Sequence, residues 1–195
     1  MTGVGLAGTH LAALEEQVEV VAGEAAVLAD EVGRENSTWV REPVDMMLAG
    51  SAYRRGLYEW GKKRHLTCSI TPKTCKILKK FTESSKCKKC LSKFVVLEAQ
   101  SRQVPRVGPT NARLRALLPV ELPSGRVGVT VAGEQVVMEK GRIVIVDDSF
   151  ENMLWNESEE GRAMLLLVDF HHPDLNDLKK KDGYSENGQN QFIIY

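Results

Sequence analysis

From Lys93 onward the chain breaks into short runs rich in Val, Leu and Ile, and this constrains its fold more than any other feature. The runs cover residues 94–97, 112–118, 127–131, 135–138, 143–146 and 163–170. Turn signals separate them: Gly108-Pro109, Pro123-Ser124-Gly125, Gly133 and Lys140-Gly141. Many short apolar runs at near-regular spacing, punctuated by Gly and Pro, specify antiparallel strands closed into a sandwich or barrel.

The front half has a different period. Leu11, Leu14, Val18, Val21, Ala25, Leu28 and Val32 recur at steps of three and four. That spacing predicts one amphipathic helix over 9–33, with Thr9 as N-cap and Gly33 closing it. The seam is long enough for a short coiled coil, but we read it as a helix laid on the body of its own domain. Pro43 and Gly50 punctuate a second, shorter helical stretch. Residues 73–93 carry eight lysines among Ile77, Leu78 and Phe81, which reads as an amphipathic helix followed by a loop. The expected organisation is a flexible N-terminus over 1–8, a helical layer over 9–50, a β domain over 51–178 and a polar tail over 179–195.

Formal net charge is zero, yet charge is segregated: 9 acidic and 2 basic residues in 1–50, against 3 and 13 in 51–100. A basic segment can attract nucleic acid or anionic lipid. We read it as a solvated helix and loop balanced by the acidic first helix, and expect no nucleic-acid partner. No run of about 18 apolar residues is present, so no membrane segment is expected in this chain, and no signal fixes a compartment.

The cysteines are Cys68, Cys75, Cys87 and Cys90. Four thiolates suffice for tetrahedral zinc, although a zinc ribbon uses two close-spaced pairs and Cys68 and Cys75 lie seven apart. Of the histidines, His10 is expected to open the first helix and His65 to sit in a basic loop. His171 and His172 end the last strand, where adjacent side chains face opposite ways, so at most one looks into a barrel.

Three motifs carry more specific information: Gly108-Pro109-Thr110-Asn111, Asp147-Asp148-Ser149-Phe150, and Val168-Asp169 before His172-Pro173. Together with Leu57-Tyr58-Glu59-Trp60-Gly61 they resemble, in order, the aspartyl/asparaginyl β-hydroxylase family over residues 51–175. The resemblance implies a double-stranded β-helix (jelly-roll, cupin-like) barrel with an N-terminal helical layer. It also implies an iron(II)- and 2-oxoglutarate-dependent dioxygenase acting on Asp or Asn side chains in proteins. By the same resemblance Cys68 and Cys75 form a disulfide, Arg162 anchors the distal carboxylate of 2-oxoglutarate, and Arg115 helps to hold it. Arginine suits that role because its planar fork grips a carboxylate through two hydrogen bonds.

The two positions where the family places its iron-binding histidines hold Arg106 and Asn152 here. Guanidinium keeps its charge and repels a cation, and an amide offers only a weak carbonyl oxygen. Gly108 stands where a carboxylate ligand would otherwise fall, Val95 replaces a hydroxyl residue and Leu117 a histidine. The expectation is a catalytically impaired or inactive member acting as an anion- or peptide-binding domain, for a dicarboxylate or an acidic peptide. The alternative is an active dioxygenase whose ligands converge near Asp147 or Asp148, residues that we expect to serve turn hydrogen bonds.

Overall fold

The structure, a computed structural model, describes residues 3–172, with side chains from Gly8 onward. The expected polar tail over 179–195 lies outside the described residues.

Two helices stand where one was expected, α1 (Gly3–Glu16) and α2 (Val18–Ala29). Gln17 leaves helical geometry at φ −107°, ψ 20° and splits the stripe. Thr9 lies inside α1 and is no cap; Gly33 follows α2 in a turn at φ 77°, a left-handed conformation that glycine adopts without steric cost. The stripe does what its spacing implies: Leu11, Leu14, Val21, Ala25 and Leu28 are buried on the body of the domain, not in a coiled coil.

Strand β1 (Val40–Arg41) follows. The second helical stretch expected near Pro43 is a single 3-10 turn (Val44–Met46) leading into β2 (Met47–Ala49). Proline fixes φ and supplies no N–H, so it starts a turn here more readily than it sustains a helix. Next come β3 (Ala52–Glu59), β4 (Lys62–Lys63), α3 (His65–Ile70), α4 (Pro72–Lys80) and α5 (Thr82–Ser85). Pro72 is the first residue of α4, where its missing N–H costs nothing. His65 opens α3 and is not in a loop; His10 lies within α1 and stacks on Phe81 with ring centroids 5.2 Å apart.

The remaining strands are β5 (Leu91–Leu97), β6 (Ser101–Gln103), β7 (Arg113–Glu121), β8 (Val127–Val131), β9 (Glu134–Val137), β10 (Val144–Val146), β11 (Asn152–Asn156) and β12 (Ala163–His171). They form two antiparallel sheets. One has the order β1-β3-β5-β12-β7-β10 with β4 on β3; the other runs β2-β6-β11-β8-β9. Interleaving of strands distant in sequence between two facing sheets is the double-stranded β-helix, a cupin-like jelly roll.

Side-chain alternation along each strand sorts two cores. Odd residues of β5 and β12, such as Val95, Leu97, Ala163, Leu165 and Leu167, meet Val127, Val129, Val131 and Leu154 between the sheets. Even residues, such as Phe94, Val96, Met164, Leu166 and Val168, face the helices and pack on Leu14, Val21, Leu28 and Leu78. Full burial of one such leucine contributes roughly 1.5–3 kcal/mol, so the helical layer is part of the fold and not an appendage.

Cys68 and Cys75 are joined, S–S 2.01 Å, tying α3 to α4. Cys87 and Cys90 are joined as well, closing the turn before β5, a pairing not anticipated from sequence. The two pairs do not converge into the four-cysteine cluster considered above.

Candidate functional site

The barrel opens at one end, where the inward alternation of β5, β7 and β12 changes from apolar to charged. Leu117, Val95 and Leu167 fill the depth, while Lys93, Arg113, Arg115 and Asp169, two or more residues along the same inward rows, reach the mouth. Asp169 and Arg115 are direct cross-strand partners, so their side chains lie on one face.

Arg106 and Asn152 meet at this mouth. They form an isolated antiparallel bridge in which each backbone N–H donates to the other's carbonyl, at 3.0 and 2.9 Å. Both side chains line the same cavity of ≈ 280 Å³, together with Glu42, Arg54, Lys93, Arg113, Arg115 and Asp148. The two positions singled out in sequence are thus adjacent in space. Asn152 turns its amide N–H groups onto the carbonyls of Phe150 (2.9 Å), Arg106 (3.1 Å) and Asp148 (3.4 Å), fastening the loop after β10 to the strand start.

Asp148 does more than the turn bonding expected of it. Asp147 accepts from the Ser149 N–H at 2.9 Å and serves the turn. Asp148 is fully buried against Arg113 (2.6 Å) and Arg115 (2.9 Å), and Asp169 is buried against the same two, at 3.1 and 2.7 Å. Arg113 also donates to the Lys89 carbonyl at 2.5 Å. Two buried carboxylates therefore do converge at the barrel mouth, but each is held by two guanidinium groups. Gly108 belongs to this network by its lack of a side chain: a Cβ there would lie 2.5 Å from the Asp148 carboxyl.

The free part of the cavity is cationic. Burial opposes the charge of Arg115, but Asp169 and Asp148 more than compensate and raise its pKa. Among the described residues Arg106 pairs only with Glu42, at 4.0 Å, which Arg54 shares at 3.4 Å. Burial lowers the Arg106 pKa, and Arg115 and Arg54 add to the effect against Glu42. Lys93 is the extreme case. Burial, then Arg115, Arg54 and Arg106, bring its pKa down to about 8 despite Glu42. No carboxylate lies within ion-pair distance of Lys93 among the described residues. Sequence reading gave no site role to Lys93, Arg113 or Asp169, although Asp169 stands in one of the three motifs; strand alternation gave a signal for the first two, since Val95 and Arg115 lie two residues away on the same rows.

Arg162 is not among the residues that line this cavity. It is exposed at the start of β12 and donates to the Ala29 carbonyl at the end of α2, at 3.0 Å. The physical reason is parity: Ala163, Leu165 and Leu167 face the barrel interior, so Arg162 falls on the helix side with Met164. Beneath the mouth, Val95, Leu117, Val129, Leu154 and Leu167 leave a void of only ≈ 20 Å³. That is space for about one water, too little for a dicarboxylate. Nor does the donor set fit iron(II), because Arg106 is a cation and the Asn152 amide offers only a weak carbonyl oxygen.

Among the described residues no helix is long and apolar enough to cross a membrane. Residues 15–173 match the profile of the aspartyl/asparaginyl β-hydroxylases. The chain is 29% identical over 162 residues to the aspartyl/asparaginyl beta-hydroxylase of Mus musculus, covering 83% of this chain and 21% of that protein. It is 34% identical over 119 residues to that of Homo sapiens, covering 61% and 16%. A solved cupin-like protein from Thermotoga maritima aligns over 71% of this chain and 80% of its own, with 10% identity and a TM-score of 0.43. The chain spans about a fifth of the length of the curated relatives it matches. With its motifs in place on a double-stranded β-helix and a match over most of its length, the chain belongs to the aspartyl/asparaginyl β-hydroxylase family.

Proposed function

We propose that this chain is a catalytically impaired member of its family that acts as an anion-binding domain for a carboxylate, either a small dicarboxylate or an acidic side chain of a peptide. The observation that carries this reading is Lys93: a half-buried lysine that lines the cavity with Arg106 and Arg115 and has no carboxylate within ion-pair distance among the described residues. A partly desolvated cation kept without a partner is costly to the fold, and such groups cluster where ligands bind. An entering carboxylate would gain Lys93 and Arg106 as donors and the field of Arg115, whose own fork is taken by Asp148 and Asp169. Val107 and Phe150, both exposed near the mouth, offer apolar contact to the rest of a peptide.

The other reading, an active hydroxylase, has one observation in its favour, the convergence of Asp148 and Asp169. Their double pairing with Arg113 and Arg115 counts against their use as metal ligands.

A melting assay with 2-oxoglutarate, succinate or an Asp-containing peptide tests the proposal. A ligand at 100 times its Kd stabilises by about 2.7 kcal/mol, well within resolution. Stabilisation is expected in the unmodified protein and in Arg162→Ala, and not in Arg106→Ala. Iron-dependent release of succinate from 2-oxoglutarate would overturn the impaired reading; absence of stabilisation by every carboxylate would overturn the binding role.

A further inference from the structure

The turn that precedes β5 brings Cys87 and Cys90 together with His171 at the end of β12, none of which lines the cavity described above. We propose that these three residues form a zinc site in the dithiol form of the protein, alternating with the Cys87–Cys90 disulfide. Their ligand atoms lie within 4.8 Å of one another, the one such group among the described residues. His171 Nδ1 is 3.9 Å from Cys87 Sγ. With zinc–sulfur and zinc–nitrogen bonds of about 2.3 and 2.0 Å, two tetrahedral ligands sit roughly 3.6 Å apart, so that pair is nearly in place.

The spacing is right as well. A Cys-x-x-Cys turn supplies two thiolates to one metal from a single tight loop, as in half of a zinc knuckle. Both cysteines are buried, which suits a closed pair of thiolates, while His171 is exposed at the end of β12 and caps the pair from the solvent side. Lys86, Lys88 and Lys89 surround the cysteines in sequence, and cations nearby favour thiolate over thiol. The fourth position is left to water. Neither Cys68 nor Cys75 belongs to the group: their sulfurs lie between α3 and α4, beyond ligand distance of this turn.

Reduction balances with an external phosphine. The phosphine loses two electrons and becomes its oxide with oxygen from water, the S–S bond breaks, and each sulfur takes one proton. Zinc then displaces those two protons as it binds the two thiolates. The metal would tie the end of β12 to the turn whose Lys89 carbonyl holds Arg113, and so stiffen one support of the charged network.

Cobalt(II) is the probe, because thiolate coordination gives it charge-transfer and tetrahedral absorption bands. The phosphine-reduced full chain is expected to bind one equivalent with these bands, and zinc to displace it; the oxidised chain shows none. His171→Ala leaves both thiols in place and changes only an exposed side chain at the end of β12, and is expected to weaken binding at least tenfold. His171→Cys restores it. Cys90→Ser abolishes the bands. The proposal is overturned if the reduced chain binds no cobalt, if His171→Ala or Cys90→Ser leaves spectrum and affinity unchanged, or if reduction unfolds the chain and zinc does not restore it.

Discussion

Arg106 and Asn152 exchange backbone hydrogen bonds at 3.0 and 2.9 Å, so that two side chains 46 residues apart project side by side into one cavity. A bridge of this kind holds facing Cα atoms about 5.5 Å apart, a separation from which two imidazoles can share a metal. Restoring both histidines, Arg106→His with Asn152→His, should therefore recover iron or manganese affinity, measurable by isothermal titration. Either change alone should do little. Turnover should remain low, because Val95 and Leu117 leave the depth of the barrel apolar and nearly filled. A folded double variant without metal affinity would show that the two side chains do not converge.

Lys93→Met should stabilise the protein while ending anion binding. Keeping Lys93 charged near neutral pH, with its pKa at about 8, costs on the order of 3 kcal/mol relative to the unfolded chain. Methionine fills similar volume without charge, so part of that cost returns as a higher Tm. Loss of stability in this variant would mean that Lys93 has a structural partner.

The same group sets a pH dependence. The folded pKa lies below the ordinary 10.5, so the unfolded chain holds the Lys93 proton more tightly. Stability from this group should therefore rise with pH between about 8 and 10.5, and be flat below. Carboxylate binding should go the other way, weakening as pH rises through about 8, because the neutral amine no longer attracts an anion. Lys93→Met should abolish the rise in stability, as read by denaturant titration at several pH values.

Asp169→Ala should destabilise strongly. It removes one of two carboxylates that neutralise Arg113 and Arg115, leaving buried charge uncompensated. Breaking a buried pair in this way costs roughly 3–5 kcal/mol. Chemical denaturation should report a loss of that order; a change within about 0.5 kcal/mol would mean that solvent compensates the guanidinium groups.

Much of the fold follows from sequence because periodicity is a local property. The strands at 127–131 and 163–171, the turn at Gly133 and the buried stripe of α1 and α2 are all visible in the order of apolar residues. Strands β3 and β11 were less legible, since Arg54, Arg55 and Gly56 interrupt one and Asn152 and Asn156 bound the other. Their alternation is polar because one face meets the charged mouth, and a pattern of burial cannot show a side chain buried for its charge. The same limit explains the site. The replacement of both metal positions, and the Cys68–Cys75 pairing implied by family resemblance, could be located by number along the chain. Which arginines face the cavity could not: Arg162 is turned outward by strand parity, and Arg113 and Arg115 are turned inward onto Asp148 and Asp169. Ion pairs depend on distances between strands far apart in sequence: only closure of the two sheets brings Lys93 beside Arg106, and only the pairing of β12 with β5 brings Cys90 beside His171.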